Sequence, residues 1–215
     1  MPAQLSYKTL REENSAEFII NKSRFIGYGC PCETEEEALA FLARIRQKHK
    51  DATHNCYAYI IGLNSGIMRY SDDGEPGGTA GLPIIEVMKA RGVVNCAVVV
   101  TRYFGGILLG TGGLVRAYTK ASKDALAAAG ITVERLWDRL LVPCAYGQFE
   151  RVRQELQKRG AVIEDTDYGA DIMLTVLTPA EETEAFQAAL TELSAGTIEG
   201  EKLDQVFRGV ALEQS

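Results

Sequence analysis

The sequence predicts an α+β protein of two domains, and three observations carry that prediction. Amphipathic helical stretches alternate with apolar runs of strand length along the 215 residues. The last third spells the order βαββαβ, the ferredoxin-like unit. Charge changes at the same place: residues 1–135 hold 16 Lys and Arg against 14 Asp and Glu, a net +2, whereas residues 136–215 hold 7 against 15, a net −8. The expected division is therefore 1–135 and 136–215.

In the first domain, Tyr7–Glu13, Glu17–Ile20 and Arg24–Cys30 read as strands, with Asn14-Ser15 as a turn. Thr34 is a candidate N-cap, Glu35–Glu37 suit the first helical turn, and Ala38, Phe41, Leu42 and Ile45 follow at helical spacing. Asn55–Ile61 and Ile67–Ser71 are two strands joined by Gly62–Gly66. A helix over Gly81–Arg91 is capped by Thr79 or Ala80, with Pro83 in the first turn, where its missing N–H is harmless. Its apolar residues nearly encircle it, so deep packing is expected. The run Asn95–Thr101 reads as a central strand. A helix over Leu114–Ala129 ends at Gly130; Leu114, Ala117, Ala121, Ala125 and Ala128 suit its core side, while Arg116, Lys120 and Lys123 share another face.

After a strand near Ile131–Val133, the second domain reads as Arg139–Ala145 (strand), Phe149–Lys158 (helix), Val162–Thr166 and Ala170–Leu177 (strands), Glu181–Leu193 (helix) and Thr197–Phe207 (strand). Phe149, Val152 and Leu156, then Phe186, Leu190 and Leu193, form the two apolar helix faces.

Composition narrows the function classes. The apolar runs are too short to cross a bilayer. Met1–Asn14 is polar and mixed in charge, so a cytoplasmic protein without an export signal is expected. Five cysteines fit reduced thiols better than a disulfide framework. The spacing of Cys30-Pro31-Cys32 with His54-Asn55-Cys56 misses the usual zinc pattern, and no metal or other cofactor is expected. A net charge of −6 does not advertise nucleic-acid binding by the whole chain; only the first domain has room for a basic patch.

Two glycine-rich segments carry the candidate chemistry, Ser71–Thr79 and Arg102–Gly113, each between a strand and a helix start. Backbone N–H groups and the positive end of a helix dipole there suit phosphate or carboxylate. Arg102 offers a bidentate fork for phosphate, and Tyr103 and Phe104 offer rings for a base. Neither segment fits the P-loop or dinucleotide pattern, and tight turns alone also explain the glycines. Asp72, Asp73 and Glu75, with His54 nearby, fit three uses: a Mg²⁺ cluster, acid–base chemistry, or a solvated turn beside a helix.

The stretches Arg69–Gly81, Val98–Gly106 and Leu109–Tyr118, with His54–Tyr59, resemble the IMPACT family in its bacterial branch. The resemblance covers most of residues 15–130 and rests on long specific strings; over the second domain it rests on element order. It implies a first domain like domain 2 of ribosomal protein S5 and a second like the last domain of elongation factor G. Taken together with Arg102, Tyr103 and Phe104 and with the basic group Arg116, Lys120 and Lys123, that fold resemblance leads to the expectation of a non-enzymatic factor acting on translation, with RNA or the ribosome as partner. Eukaryotic relatives compete for a partner of an eIF2α kinase using a further N-terminal domain, and that competition does not carry over. The surface the resemblance transfers is His54, Arg69, Asp72, Asp73, Glu75, Thr79, Thr101, Arg102, Tyr103 and Phe104 with the loop glycines, Gly105, Gly106, Gly112 and Gly113 among them. Arg116 and Lys120 join it as basic residues of the following helix. A Mg²⁺-dependent phosphoester or nucleotide enzyme and a protein-interaction module are the competing readings.

Overall fold

The computed structural model describes residues 5–63 and 66–210. These fall into two compact units, one of residues 7–133 and one of residues 134–210 with 5 and 6. Asn64 and Ser65, the middle of the expected hairpin loop, lie outside the described residues.

The first unit is built on one antiparallel five-stranded sheet. Its strands are β2 (Asn14–Ile20), β3 (Ser23–Pro31), β4 (His54–Ile61), β5 (Ile67–Ser71) and β6 (Cys96–Tyr103), ordered β2-β3-β6-β4-β5. β6 is central and covered on both faces, which explains its unbroken apolar run. Cys96, Val98 and Val100 pack towards α2 (Gly81–Arg91) and α3 (Gly110–Ala129). Ala97 and Val99 pack on the opposite face, against α1 (Glu35–Lys48). α1 starts as predicted, with Thr34 Oγ1 accepting from the Glu37 N–H at 3.2 Å and three glutamates in the first turn. Ahead of the sheet, β1 (Ser6–Leu10) is fixed by the Val94 N–H on the Lys8 carbonyl and the Thr9 hydroxyl on the Asn95 carbonyl, both at 2.9 Å.

α3 lies close on β3 because β3 carries glycine there. A Cβ on Gly27 would sit 2.4 Å from the Ala121 carbonyl oxygen, with backbone on both sides of the clash. Gly27→Ala is therefore expected to lower the unfolding free energy by about 1–3 kcal/mol, measured by urea denaturation.

The second unit has the predicted βαββαβ order. β7 (Ile131–Cys144) pairs antiparallel with β9 (Ile172–Pro179), β9 pairs antiparallel with β8 (Val162–Tyr168), and β10 (Glu201–Val210) pairs with β7. α4 (Phe149–Lys158) and α5 (Thr183–Ser194) bring Val152, Leu156, Phe186 and Leu190 onto Leu140, Val142, Leu174 and Val176.

Several elements differ from expectation. Asn14 and Ser15 belong to β2; β1 ends at Leu10 and the chain bends at Arg11-Glu12 before β2, while Asn21-Lys22, with φ of 47° and 64°, form the separate turn from β2 into β3. Asn14 instead anchors the strand, its Nδ2 donating to the Ala128 carbonyl at 3.0 Å. The strands expected at Ile131–Val133 and Arg139–Ala145 are one 14-residue strand, since Glu134 and Arg135 continue it without a break. α3 begins at Gly110, four residues early, so the last glycines of the second loop form a helical turn. Leu82 of α2 is 41% exposed and Ala128 of α3 is half-buried, although the rest of both apolar faces packs as expected.

Candidate functional site

The register of the central strands places His54 directly opposite Arg102, both on the α2/α3 side of the sheet. The turn after β5 folds back over this end of the sheet and delivers Glu75. The Glu75 carboxylate accepts from Arg102 Nη1 at 2.7 Å and from the Tyr118 hydroxyl of α3 at 2.8 Å. Arg102 and Glu75 are 5% and 8% exposed, so the ion pair is buried and joins the two glycine-rich segments. The Arg102 guanidinium lies 5.5 Å from the Phe25 ring centre and 5.4 Å from that of Phe104. Its Nη2 is 3.5 Å from the Ser23 hydroxyl, and its Nε has no hydrogen-bond partner. Burial pushes the Tyr118 phenol upward, reinforced by Cys56 and Glu75, so it stays protonated and donates. Burial likewise pushes the Cys56 thiol up to about 12; its Sγ donates to the Asp72 carbonyl at 2.9 Å.

His54 reaches the same place with one tautomer. Its Nδ1 is 2.8 Å from the Asp73 carbonyl, which only accepts, so Nδ1 carries the proton. Nε2 is left facing Glu75 Oε2 at 3.8 Å. Above these groups is a cavity of about 400 Å³, walled by Phe104, Leu108, Leu109 and Leu114 and by Gly110 and Thr111 at the start of α3. No side chain caps that helix start.

The expected acidic cluster is resolved into three separate roles. Asp72 accepts from the backbone N–H groups of Gly78, Ala80 and Gly81 at 2.8, 3.0 and 2.8 Å, and so performs the capping expected of Thr79 or Ala80. Asp73 accepts from the Asn55 N–H at 2.7 Å and pairs with Arg46 at 3.3 Å. Glu75 is held by Arg102 and Tyr118. Among the described residues no group of three or more His, Cys, Asp or Glu is placed to hold a metal ion.

The other expected site residues divide between the cavity and elsewhere. Arg102 lines the cavity, but beneath Phe104 and paired with Glu75, so it is no open phosphate fork. Thr79 is buried and donates to the Pro76 carbonyl at 2.6 Å, closing the turn. Thr101 faces the α1 side and donates to Asn55 Oδ1 at 2.8 Å. Arg69 is exposed on β5, away from the cavity. Gly105 lets the second segment lie against the β2–β3 turn, since a Cβ there would be 2.0 Å from the Lys22 carbonyl carbon. Gly106 follows with φ of 81°. Gly112 and Gly113 are in the first turn of α3, and Arg116 and Lys120 are exposed farther along it, Lys120 paired with Asp124. Tyr118 and Phe25 were not expected at the site. Tyr118 had a sequence signal, lying four residues after Leu114 on the same stripe.

Tyr103 faces the other side of the sheet, where it joins a hydrogen-bonded chain that runs from buried Tyr28 out to exposed Asp51. The Tyr28 hydroxyl is 2.7 Å from His49 Nε2, His49 Nδ1 is 2.9 Å from the Tyr103 hydroxyl, and that hydroxyl donates to Asp51 at 3.2 Å. With Tyr103 donating onward, His49 Nδ1 donates to it and Nε2 accepts from Tyr28, an arrangement for neutral imidazole. Burial, aided by the charges of Lys48 and Arg24 and opposed by Asp51, lowers the His49 pKa. The resulting stability is full above the ordinary histidine value of about 6.5 and declines as pH falls from there through the folded value. A proton NMR titration of the two histidines should give His49 the midpoint below about 6.5. In His49→Gln, urea unfolding should lose less stability between about pH 7 and pH 5 than in the parent chain.

The chain matches the model of the Impact N-terminal domain over residues 21–126 and that of a domain of unknown function, DUF1949, over residues 142–197. It is 40% identical over 191 residues to IMPACT family member YvyE of Bacillus subtilis, covering 89% of this chain and 88% of that one. The chain belongs to the IMPACT family. Another family member, YigZ of Escherichia coli, is 37% identical over 182 residues, covering 84% of this chain and 89% of that protein. The mouse protein IMPACT is 36% identical over 94 residues, 41% of this chain and 29% of the mouse chain. A crystal structure described as a hypothetical protein superposes with a TM-score of 0.61 at 34% identity, covering 94% of this chain and 99% of that one. The Impact N-terminal match contains every cavity residue named above, so the buried pair and its cavity lie within the family's defining domain. No helix among the described residues is long and apolar enough to cross a membrane.

Proposed function

We propose that this protein is a non-enzymatic, cytoplasmic factor acting on translation, which binds single-stranded RNA, free or within the ribosome, through the cavity of its first domain. The observation that carries this reading is at the cavity mouth, where an uncapped helix start stands beside an exposed Phe104 ring. Farther along the same helix, outside the cavity, Arg116 and Lys123 are exposed. The resemblance of the two domains to domain 2 of ribosomal protein S5 and the last domain of elongation factor G supports a translational setting. The net −8 of residues 136–215 favours RNA contact through the first domain alone.

Fluorescence anisotropy with a labelled single-stranded RNA tests the reading. Binding should be measurable at low salt and weaken with added salt, with a log–log slope near −2 for about three phosphate contacts. Removing Arg116 and Lys123 together by alanine should reduce the steepness by about 1.4. Absence of binding at low salt, or an unchanged slope in the double variant, would overturn it. The exposed Ile107 and Leu108 on the same rim, 43% and 84% exposed, favour a second reading in which the partner is a protein. A partner retained from lysate after nuclease treatment and lost with Leu108→Ser would replace the RNA reading with that one.

A further inference from the structure

We infer that the cavity between His54, Arg102 and the start of α3 is a site for a nucleoside 5′-monophosphate, free or at the 5′ end of an RNA. This deepens the reading above and rests on it only for the RNA-borne source. Three features lie in one cavity and match three parts of such a ligand.

The first is the anion end. α3 is 20 residues long and its first turn, at Gly110 and Thr111, opens on the cavity without a capping side chain. The positive dipole end and unsatisfied N–H groups there favour a dianion. Independently, Arg102 lines the same cavity, is 5% exposed, and has a buried Nε with no partner. The guanidinium is paired with Glu75 and is no open fork, but its one unpartnered buried N–H, at Nε, is a costly donor that an anion at the helix start would satisfy. Glu75 does not oppose this strongly, because its charge is held by Arg102 Nη1 and the Tyr118 hydroxyl. A terminal phosphate carries about −1.5 to −2 charge, so it gains more from the dipole than a singly charged internal diester.

The second is the flat part. Phe104 lines the cavity and is 45% exposed, and with Arg102 5.4 Å from its ring centre on one side a base would stack on the other. The third is the polar edge. The Glu75 carboxylate accepts, with His54 Nε2 beside it at 3.8 Å, which suits the amino and hydroxyl donors of a nucleoside. A volume of about 400 Å³ is near the lower end for ligand clefts of about 300–1,000 Å³, which suits one nucleotide rather than a dinucleotide.

Calorimetric titration of the full chain with AMP, adenosine and inorganic phosphate tests the site. Oligoadenylates bearing a 5′-phosphate or a 5′-hydroxyl separate the two sources. AMP should bind at least about tenfold tighter than adenosine, and Phe104→Leu should weaken AMP while leaving inorganic phosphate unchanged. Thr111→Glu places a carboxylate in the helix's first turn, where the dipole tolerates it, so the fold should persist with its melting midpoint maintained while AMP binding falls at least tenfold. AMP that binds no better than adenosine, or binds Thr111→Glu as it binds the parent, overturns the inference. If both oligonucleotides bind equally and AMP does not, the inference fails and the RNA reading stands. If AMP binds and neither oligonucleotide does, the site stands with a free nucleotide as its ligand and the RNA reading fails.

Discussion

Glu75→Ala is expected to lower the unfolding free energy of the first domain by about 3–5 kcal/mol, the cost of leaving one partner of a buried ion pair alone. Arg102 does not deprotonate, so the variant retains a guanidinium that is 5% exposed and has lost its closest acceptor, 2.7 Å away. Tyr118 loses its acceptor in the same step. The melting midpoint should fall on the order of 10 °C. Glu75→Gln keeps an acceptor for both donors and should cost less. Removing both charges, as Glu75→Leu with Arg102→Met, should recover much of the loss, because replacing a whole buried pair with apolar groups is far milder than breaking it. A loss below about 1 kcal/mol for Glu75→Ala would mean that water reaches the pair and that the floor of the cavity is not closed.

Asp72→Ala carries the second large effect, about 2–4 kcal/mol. A capping side chain alone is worth up to about 2 kcal/mol, and each buried N–H left without an acceptor adds a cost of about 1–3 kcal/mol. Here one carboxylate serves three N–H groups, of which Ala80 and Gly81 are buried. The loop it organises also presents Glu75, so the variant should lose ligand affinity as well as stability. Native-state hydrogen exchange offers a local readout: the amides of Gly78, Ala80 and Gly81 should lose protection while those of β6 exchange only with global unfolding. Asp72→Asn retains one acceptor oxygen and should be intermediate. Equal protection in Asp72→Ala and the parent would remove the capping role.

Local signals in the sequence were strong where one element decides its own fate. The helix Gly81–Arg91, the strand Ile67–Ser71 and the helix Phe149–Lys158 fall at the predicted residues, because periodicity and terminators act over a few positions. The start of α3 was misplaced because Gly110, Gly112 and Gly113 have poor helix propensity, and packing of Leu114, Ala117 and Tyr118 on the sheet overrides it. The two glycine segments were legible as the place where chemistry gathers. Their internal roles were not, since those depend on long-range pairing. Nothing in the string Asp72-Asp73-Gly74-Glu75 distinguishes a cap, a strap and a buried counter-ion. That division is set by Gly81, Asn55 and Arg102, which lie 9, 18 and 27 residues away. Arg102 misled for the same reason: its chemistry suits an exposed phosphate, but the alternation of β6 turns it to the side where Phe25, Glu75 and Tyr118 enclose it.

On the proposal above, the two segments form one ligand-binding cavity rather than two tight turns. Photo-crosslinking of a 5′-phosphorylated RNA carrying 4-thiouridine at its first position, followed by mass spectrometric mapping, tests this most directly. The prediction is crosslinking concentrated on residues 104–111 and His54, suppressed by excess AMP and by Thr111→Glu. Crosslinks confined to residues 136–210, or spread over the surface and indifferent to AMP, would contradict it.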